Sequence, residues 1–354
     1  MQLGLIGMPM VGKTTLFELL TGTYDKTGSQ GKTNTAIARV PDARIDYLSG
    51  VFKPKKTAYA QLELIDIPGL IPGTEKNASL FLDAVRRADA LLHVVRLFDD
   101  ESVPYIYDKI DPLRDIETIR YELLLSDLDL IEKRIDRINK NKKRNLMLRE
   151  LNLLERLKDA LSDEKPISSV IIDDDEQEIM STYQFLTSKP MLICLNLNEN
   201  DIKSNNYPQK EEIAKYAMQM NIPVVEIAAS IEREIAQLEP DEKEMFLEDL
   251  GIKESGLLKI SRTMYQRLGL ISFFTVGEDE VKAWTIEDGT NARKAASKIH
   301  SDIERGFIRA EVVDYHIFKE LGTMTAVKEK GLFRLEGKEY VVKDGEIVHF
   351  RFNV

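Results

Sequence analysis

Eight residues near the N-terminus limit the fold more than any other feature of the chain. Gly7-Met8-Pro9-Met10-Val11-Gly12-Lys13-Thr14 fits G-x-x-x-x-G-K-[ST] at every fixed position. Residues 2–7 before it are apolar and end in glycine, as a short buried strand does. Residues 14–21 after it place Leu16, Leu19 and Leu20 on one side, as a helix does. A strand, a glycine-rich loop and a helix in that order form a phosphate cradle. Gly7 and Gly12 allow a tight loop, and the backbone at Met10, Val11, Gly12 and Thr15 holds phosphate oxygens. Lys13 sets a positive charge against the outer phosphates. The Thr14 hydroxyl is a hard oxygen suited to Mg²⁺.

A second strand, residues 60–67, runs into Asp66-Ile67-Pro68-Gly69. Asp66 is expected to hold Mg²⁺ through a water molecule, and the Gly69 amide to sense a γ-phosphate. Many related hydrolases place a glutamine after that glycine to orient the attacking water. Here it is Leu70, which neither donates nor accepts a hydrogen bond, so hydrolysis is expected to be slow or to use another group. His93, inside the apolar run 90–95, is one catalytic candidate beside Lys13. A satisfied core histidine is the competing reading. Thr33 is a candidate metal-side switch threonine, and Thr35 is another.

After a further apolar run, residues 190–195, comes Asn196-Leu197-Asn198-Glu199. A guanine site would carry N-K-x-D there, with the carboxylate accepting two donors from guanine. Leu197 removes the lysine stem, and Glu199 is longer than aspartate. The Asn196 amide suits adenine, donating to N7 and accepting from the N6 amino group. ATP is therefore the expected ligand, with GTP as the alternative.

The apolar runs alternate with helical spacing at 80–88 and 211–220, and a last run spans 222–228. This predicts an α/β domain with a mostly parallel sheet covered on both faces. Residues 116–161 break the alternation, with neither Gly nor Pro. Leu124, Leu128, Ile131, Ile135 and Ile138 step by four and three; Met147, Leu151, Leu154 and Leu161 continue the seam. Two antiparallel helices, about 35–40 Å long at 1.5 Å per residue, are expected to meet at the basic tip Lys140-Asn141-Lys142-Lys143-Arg144. From residue 270 short β-type runs (271–276, 281–286, 308–313, 339–342, 346–352) surround one helical stretch, 291–304. Asp344-Gly345 is a hairpin signal. The expected domains are 1–113 with 188–269, the insertion 114–187, and a small α+β domain, 270–354.

In this order these residues resemble the YchF family, also called Obg-like ATPases. The most specific stretches are 7–15, Val40-Pro41-Asp42, Lys53-Pro54-Lys55-Lys56-Thr57, 65–70, His93-Val94-Val95-Arg96, 196–199, and, towards the C-terminus, 273–277, 280–286, 298–300, 304–308 and 342–345. The resemblance implies a P-loop NTPase domain, an inserted helical hairpin and a C-terminal β-grasp TGS domain. It implies ATP preference, slow hydrolysis and association with ribosomes. It places Phe98 near the adenine, and the backbone of Ala228 and Ala229 beside the base. The chain departs from the family pattern at Met10, where asparagine is usual, at residues 28–34, and in the loop after Gly69, which lacks the family's glycines.

The formal net charge of −11 argues against nucleic-acid binding by the whole surface. Contact with ribosomal RNA would use patches: the TGS domain and the basic hairpin tip. Cys194 is the single cysteine, which fits a reducing, cytoplasmic compartment. No apolar run approaches the roughly 20 residues of a membrane span, and the start does not read as a signal peptide. Three functions compete: a slow ATP-hydrolysing switch on the ribosome, a nucleotide-binding module with negligible turnover, and a GTPase.

Overall fold

A computed structural model describes residues 1–23, 34–249, 252 and 254–353. They pack as two compact units: 1–36 with 63–257, and 37–62 with 258–354.

The first unit is built on the strands the apolar runs predict. These are β1 (Gln2–Ile6), β4 (Ala60–Asp66), β5 (Ala90–Arg96), β6 (Met191–Asn196) and β7 (Val224–Ile227). With β2 (Asn34–Val40) the order is β2-β4-β1-β5-β6-β7. β1 pairs in parallel with β4 and β5, β5 with β6, and β6 with β7. All seven residues of β5 are buried, as a strand covered on both faces requires. Asp66, Arg96 and Asn196 are the last residues of β4, β5 and β6. Polar side chains thus collect at the carboxyl edge of the sheet, where open α/β sheets bind ligands.

Helix α1 (Lys13–Thr21) follows β1, and α3 (Glu75–Arg87) precedes β5. The long helix α4 (Pro112–Asn139) starts where Asp111 accepts a hydrogen bond from the Arg114 amide, with proline in the first turn. It pairs with α5 (Leu148–Ser162). The seam is the one read from spacing. Leu124, Ile131, Ile138, Leu151, Leu154 and Leu161 are buried in one cluster, with Leu128, Ile135 and Met147 packed against it. Arg134 meets Glu150 at 2.8 Å and Lys158 meets Glu132 at 2.8 Å across the helices. The chain returns through α6 (Asp174–Ser181), opened by an Asp173–Glu176 capping box. Buried Asp127 of α4 accepts from the Leu186 and Thr187 amides and the Thr187 hydroxyl at 2.7–2.9 Å. After β6 come α7 (Glu199–Ser204), α8 (Lys210–Met220) and α9 (Ala229–Gln237).

The second unit has the sheet order β11-β10-β12-β8-β9-β3. Its strands are β8 (Leu270–Thr275), β9 (Glu280–Glu287), β10 (Phe307–Asp314), β11 (Arg334–Glu336), β12 (Glu346–Phe352) and the short β3 (Lys56–Ala58). It differs from the sequence expectation in three ways. Residues 37–62 belong to it, because β3 pairs with β9 and because Val40, Ile45, Leu48, Ala60 and Leu62 share a core with Phe274, Val281 and Phe318. Ile45 and Leu48 come from α2 (Ala43–Phe52), capped by Asp42. The expected strand at 339–342 is reduced to a single bridge, Asn291 to Val341, and β10 pairs with β11 on one side and β12 on the other. The expected helix 291–304 is two short helices, Ala292–Ser297 and Ser301–Arg305, the second capped by the His300 side chain. Two units therefore stand where the spacing suggested three domains. The helical hairpin has a core of its own but groups with the first unit, tied to it by contacts such as Arg86 of α3 donating to the Ser126 hydroxyl at 3.1 Å.

Candidate nucleotide site

The loop between β1 and α1 is tightly folded. Gly12 has φ 98° and stands at the N-cap of α1, where no side chain caps the helix. A Cβ there would lie 2.5 Å from the Asn196 amide nitrogen, so only glycine fits. Met10 takes φ 60° with half its surface exposed. Buried Lys13 reaches back across the loop and donates to the Met8 carbonyl at 2.7 Å and to the Gly7 carbonyl at 3.4 Å. Burial lowers its pKa to about 8, against the opposing pull of Asp66. The Thr14 hydroxyl donates to Asp66 Oδ2 at 2.8 Å. Burial raises the Asp66 pKa, and the Thr14 hydrogen bond and Lys13 oppose that rise.

The second motif closes over the first. The Leu70 amide donates to the Gly7 carbonyl at 3.1 Å. A Cβ on Gly69 would lie 2.7 Å from the Pro9 nitrogen, so the loops touch through backbone alone. Asn77 clamps the turn by donating to the Gly69 carbonyl at 3.1 Å and accepting from the Ile71 amide at 2.6 Å. The Leu70 side chain is fully buried.

A cavity of 530 Å³ adjoins the α1 end of the loop, with Gly12 and Thr15 among its lining residues. Phe98 to Glu101 line it as well, as do Asn196, Leu197, Asn198, Ala229, Ser230 and Arg233. The expected residues Phe98, Asn196, Leu197 and Ala229 are thus brought together. Ala228 is buried beside them as the N-cap of α9.

Asn196 is held differently from the sequence expectation. Its amide donates to the Val11 carbonyl at 3.0 Å, and its oxygen accepts from the Ala229 amide at 3.1 Å. It braces the phosphate loop against the turn after β7, whereas the sequence suggested an adenine reader. Glu199 is not among the cavity residues; it pairs with Lys203 one turn along α7 at 2.6 Å. Leu197 packs into the apolar cluster of Val95, Leu97 and Ile193. His93 is buried, and its Nε2 has no hydrogen-bond partner. Burial, with Lys13 adding to it, lowers its pKa to about 3, so it is neutral. It does not line the cavity. Thr33 lies outside the described residues, and Thr35 is exposed on β2.

Spacing alone missed Arg96, which organises the wall carrying Phe98. Its guanidinium is buried and donates to the carbonyls of Phe98, Asp100, Val103 and Pro104 at 3.1–3.3 Å, and to Met10 at 3.5 Å. The Phe98 ring lies 4.4 Å from it. An arginine closing an otherwise apolar strand was the available signal. Arg233 of α9 was also missed, and spacing gives no sign of it.

Thr14 and Asp66 supply two adjacent hard oxygens of the kind Mg²⁺ takes while keeping its remaining positions for water and phosphate. Among the described residues no cluster of three or more His, Cys, Asp or Glu offers a metal cage. No helix among them is long and apolar enough to cross a membrane.

Comparison with known proteins agrees with this geometry. A family model described as a 50S ribosome-binding GTPase matches residues 2–150. The YchF-GTPase carboxy-terminal model, described as a protein of unknown function, matches residues 270–353. The Ribosome-binding ATPase YchF of Bacillus subtilis is 43% identical, with 99% of each chain covered. Its namesake from Escherichia coli O157:H7 is 36% identical over the same share. The solved Schizosaccharomyces pombe YchF GTPase superposes with a TM-score of 0.88 at 31% identity, covering 99% of this chain and 97% of the other. With both ends matched and relatives aligned throughout, the chain belongs to the YchF family.

Proposed function

We propose that the chain is a Mg²⁺-dependent ATPase of slow turnover that works in the cytoplasm and associates with the ribosome. The observation that carries this reading is the junction at Thr15. There the phosphate loop, with Lys13 and the Thr14–Asp66 pair, opens into the cavity between Phe98 and Asn196. The relatives' names, ribosome-binding ATPase, point the same way.

Mg²⁺ held at Thr14 and Asp66 would neutralise charge on the outer phosphates. The chain's own residues do the rest. Loop amides at the uncapped start of α1 face anionic oxygens. Lys13, whose pKa burial lowers only to about 8, remains largely protonated at neutral pH. Asn196 fixes the loop against the α9 turn, and Arg96 fixes Phe98 as a wall for the base. Adenine is favoured because Glu199, which would meet the guanine edge, is engaged with Lys203 away from the cavity. Slow turnover follows from Leu70, an apolar side chain turned into the core where a water-orienting amide would be needed. The TGS domain and the exposed basic tip, Lys142 to Arg144, are the proposed ribosome contacts.

Calorimetric titration with MgATP and MgGTP tests the base. ATP is expected to bind more tightly, and a preference of at least about tenfold for GTP, 1.4 kcal/mol, would overturn the reading. Phosphate release measured with and without ribosomes tests turnover: a slow basal rate raised by ribosomes is expected. No release in either condition would leave the chain a nucleotide-binding module.

A further inference from the structure

The cavity beside the phosphate loop has an uneven charge. Asp99, Asp100 and Glu101 line one side, and Arg233 is the one cation among its described lining residues. An anionic nucleotide entering there meets three carboxylates, and something in the wall must offset them. Arg233 stands where that offset is most useful. It sits on α9, one turn beyond the Ala228–Ala229 turn, and donates through Nη2 to the Thr15 hydroxyl at 3.3 Å. Thr15 is the third residue of α1 and also lines the cavity. It marks the point where the base cavity meets the amides of the phosphate loop. In a nucleotide spanning the two, the group at that junction is the phosphate nearest the ribose.

We propose that Arg233 is a nucleotide-binding residue that grips the α-phosphate. A guanidinium has five donors in a planar fork matched to phosphate oxygens. Its contact with Thr15 aims the fork at the junction. Position along α9 adds a geometric argument. Ala229 on the first turn of that helix is tied through Asn196 to Val11. The helix carrying Arg233 is thereby fixed against the loop it serves, so the guanidinium is placed before the ligand arrives. Because Arg233 contacts the phosphate shared by mono-, di- and triphosphates, it contributes to holding product as well as substrate.

The proposal rests on the ATP-binding reading, and the test separates the two. Full-length wild type, Arg233→Ala, Arg233→Gln and Arg233→Lys are titrated with ATP, ADP, AMP and adenosine, Mg²⁺ being present, by displacement of a fluorescent ATP analogue. Arg233 is exposed, so thermal melts of the variants are expected to match wild type. Arg233→Ala and Arg233→Gln should each weaken ATP, ADP and AMP by a similar factor, about tenfold. Arg233→Lys, a charge without the fork, should lose less, and adenosine should bind all four proteins alike. Unchanged ATP affinity in Arg233→Ala overturns the proposal. So does wild-type affinity in Arg233→Gln, which keeps a donor for Thr15 but no charge. A loss confined to ATP would put the guanidinium on the γ-phosphate, and an equal loss for adenosine would give it a role in cavity shape; both contradict the assignment. If wild type fails to bind ATP, the ATPase reading falls by itself, and the same series with GTP, GDP, GMP and guanosine decides the role of Arg233.

Discussion

Leu70 is the residue to which the proposed slow turnover is assigned. Its position after D-x-x-G is where a glutamine would face the phosphate, yet its side chain is fully buried and its amide is bonded to Gly7. Replacing it with glutamine therefore does not restore a water-orienting group. Leu70→Gln is expected to cost about 1–3 kcal/mol by burying an unpaired amide, with turnover changed by less than about twofold. Urea unfolding and phosphate release read the two effects; a large rise in turnover would show that the loop rearranges freely. Met10 is a second residue at odds with its backbone. At φ 60° an unbranched side chain is strained, while asparagine tolerates that region. Since Met10 is half exposed, Met10→Asn loses little packing and should gain about 0.5–1 kcal/mol in the same unfolding experiment. His93 gives the fold an acid limit. Folded, it stays neutral down to about pH 3, while the unfolded chain takes up a proton near 6.5. The unfolded state therefore binds more protons across that window, and stability falls as pH drops through it, by up to about 1.4 kcal/mol per unit. In His93→Gln that part of the slope should vanish, as read from denaturant midpoints between pH 6.5 and 4.

At the scale of elements, one buried carboxylate anchors the helical hairpin to the returning chain. Asp127 receives two backbone amides and a hydroxyl from the segment that returns the chain to β6. Asp127→Ala leaves those amides unpaired in a buried place and should cost about 2–4 kcal/mol. Loss of proteolytic resistance in residues 163–190 before global unfolding would locate the damage. The hairpin's existence was plain from the spacing of Leu124, Ile131 and Ile138, since a heptad seam shows its own periodicity. Its anchor was not, because Asp127 sits among other acidic residues of a polar-looking helix face. The same contrast holds in the site. Gly7, Lys13, Thr14 and Asp66 were legible as a motif, because the phosphate and Mg²⁺ chemistry proposed for them would fix both residue type and order. Asn196 was found, but its bracing contacts to Val11 and Ala229 were hidden, since they join residues far apart in sequence. Arg233 was invisible for the same reason: on α9 it reads as one more charge on an amphipathic helix, and only folding brings it to Thr15.

At the scale of the molecule, the second unit is discontinuous, and this limits where the chain can be cut. Sequence alone suggested a C-terminal domain starting at 270. The structure gives that unit residues 37–62 as well, with β3 on the edge of its sheet and α2 in its core. A fragment of residues 270–354 would lose Val40, Ile45, Leu48 and Leu62, all buried in that core, together with Tyr265. Each large aliphatic side chain contributes about 1.5–3 kcal/mol when buried. Four of them together approach the whole stability of a small domain, about 5–15 kcal/mol. β9 would also be left with an open edge, a template for association. The fragment 270–354 is therefore expected to unfold without a cooperative transition and to aggregate. A chain joining 37–62 to 258–354 through a short Gly/Ser linker should melt cooperatively. Circular dichroism melts and light scattering on the two decide it: a sharp, soluble transition for 270–354 alone would mean that the inserted segment 37–62 decorates this unit without holding it together.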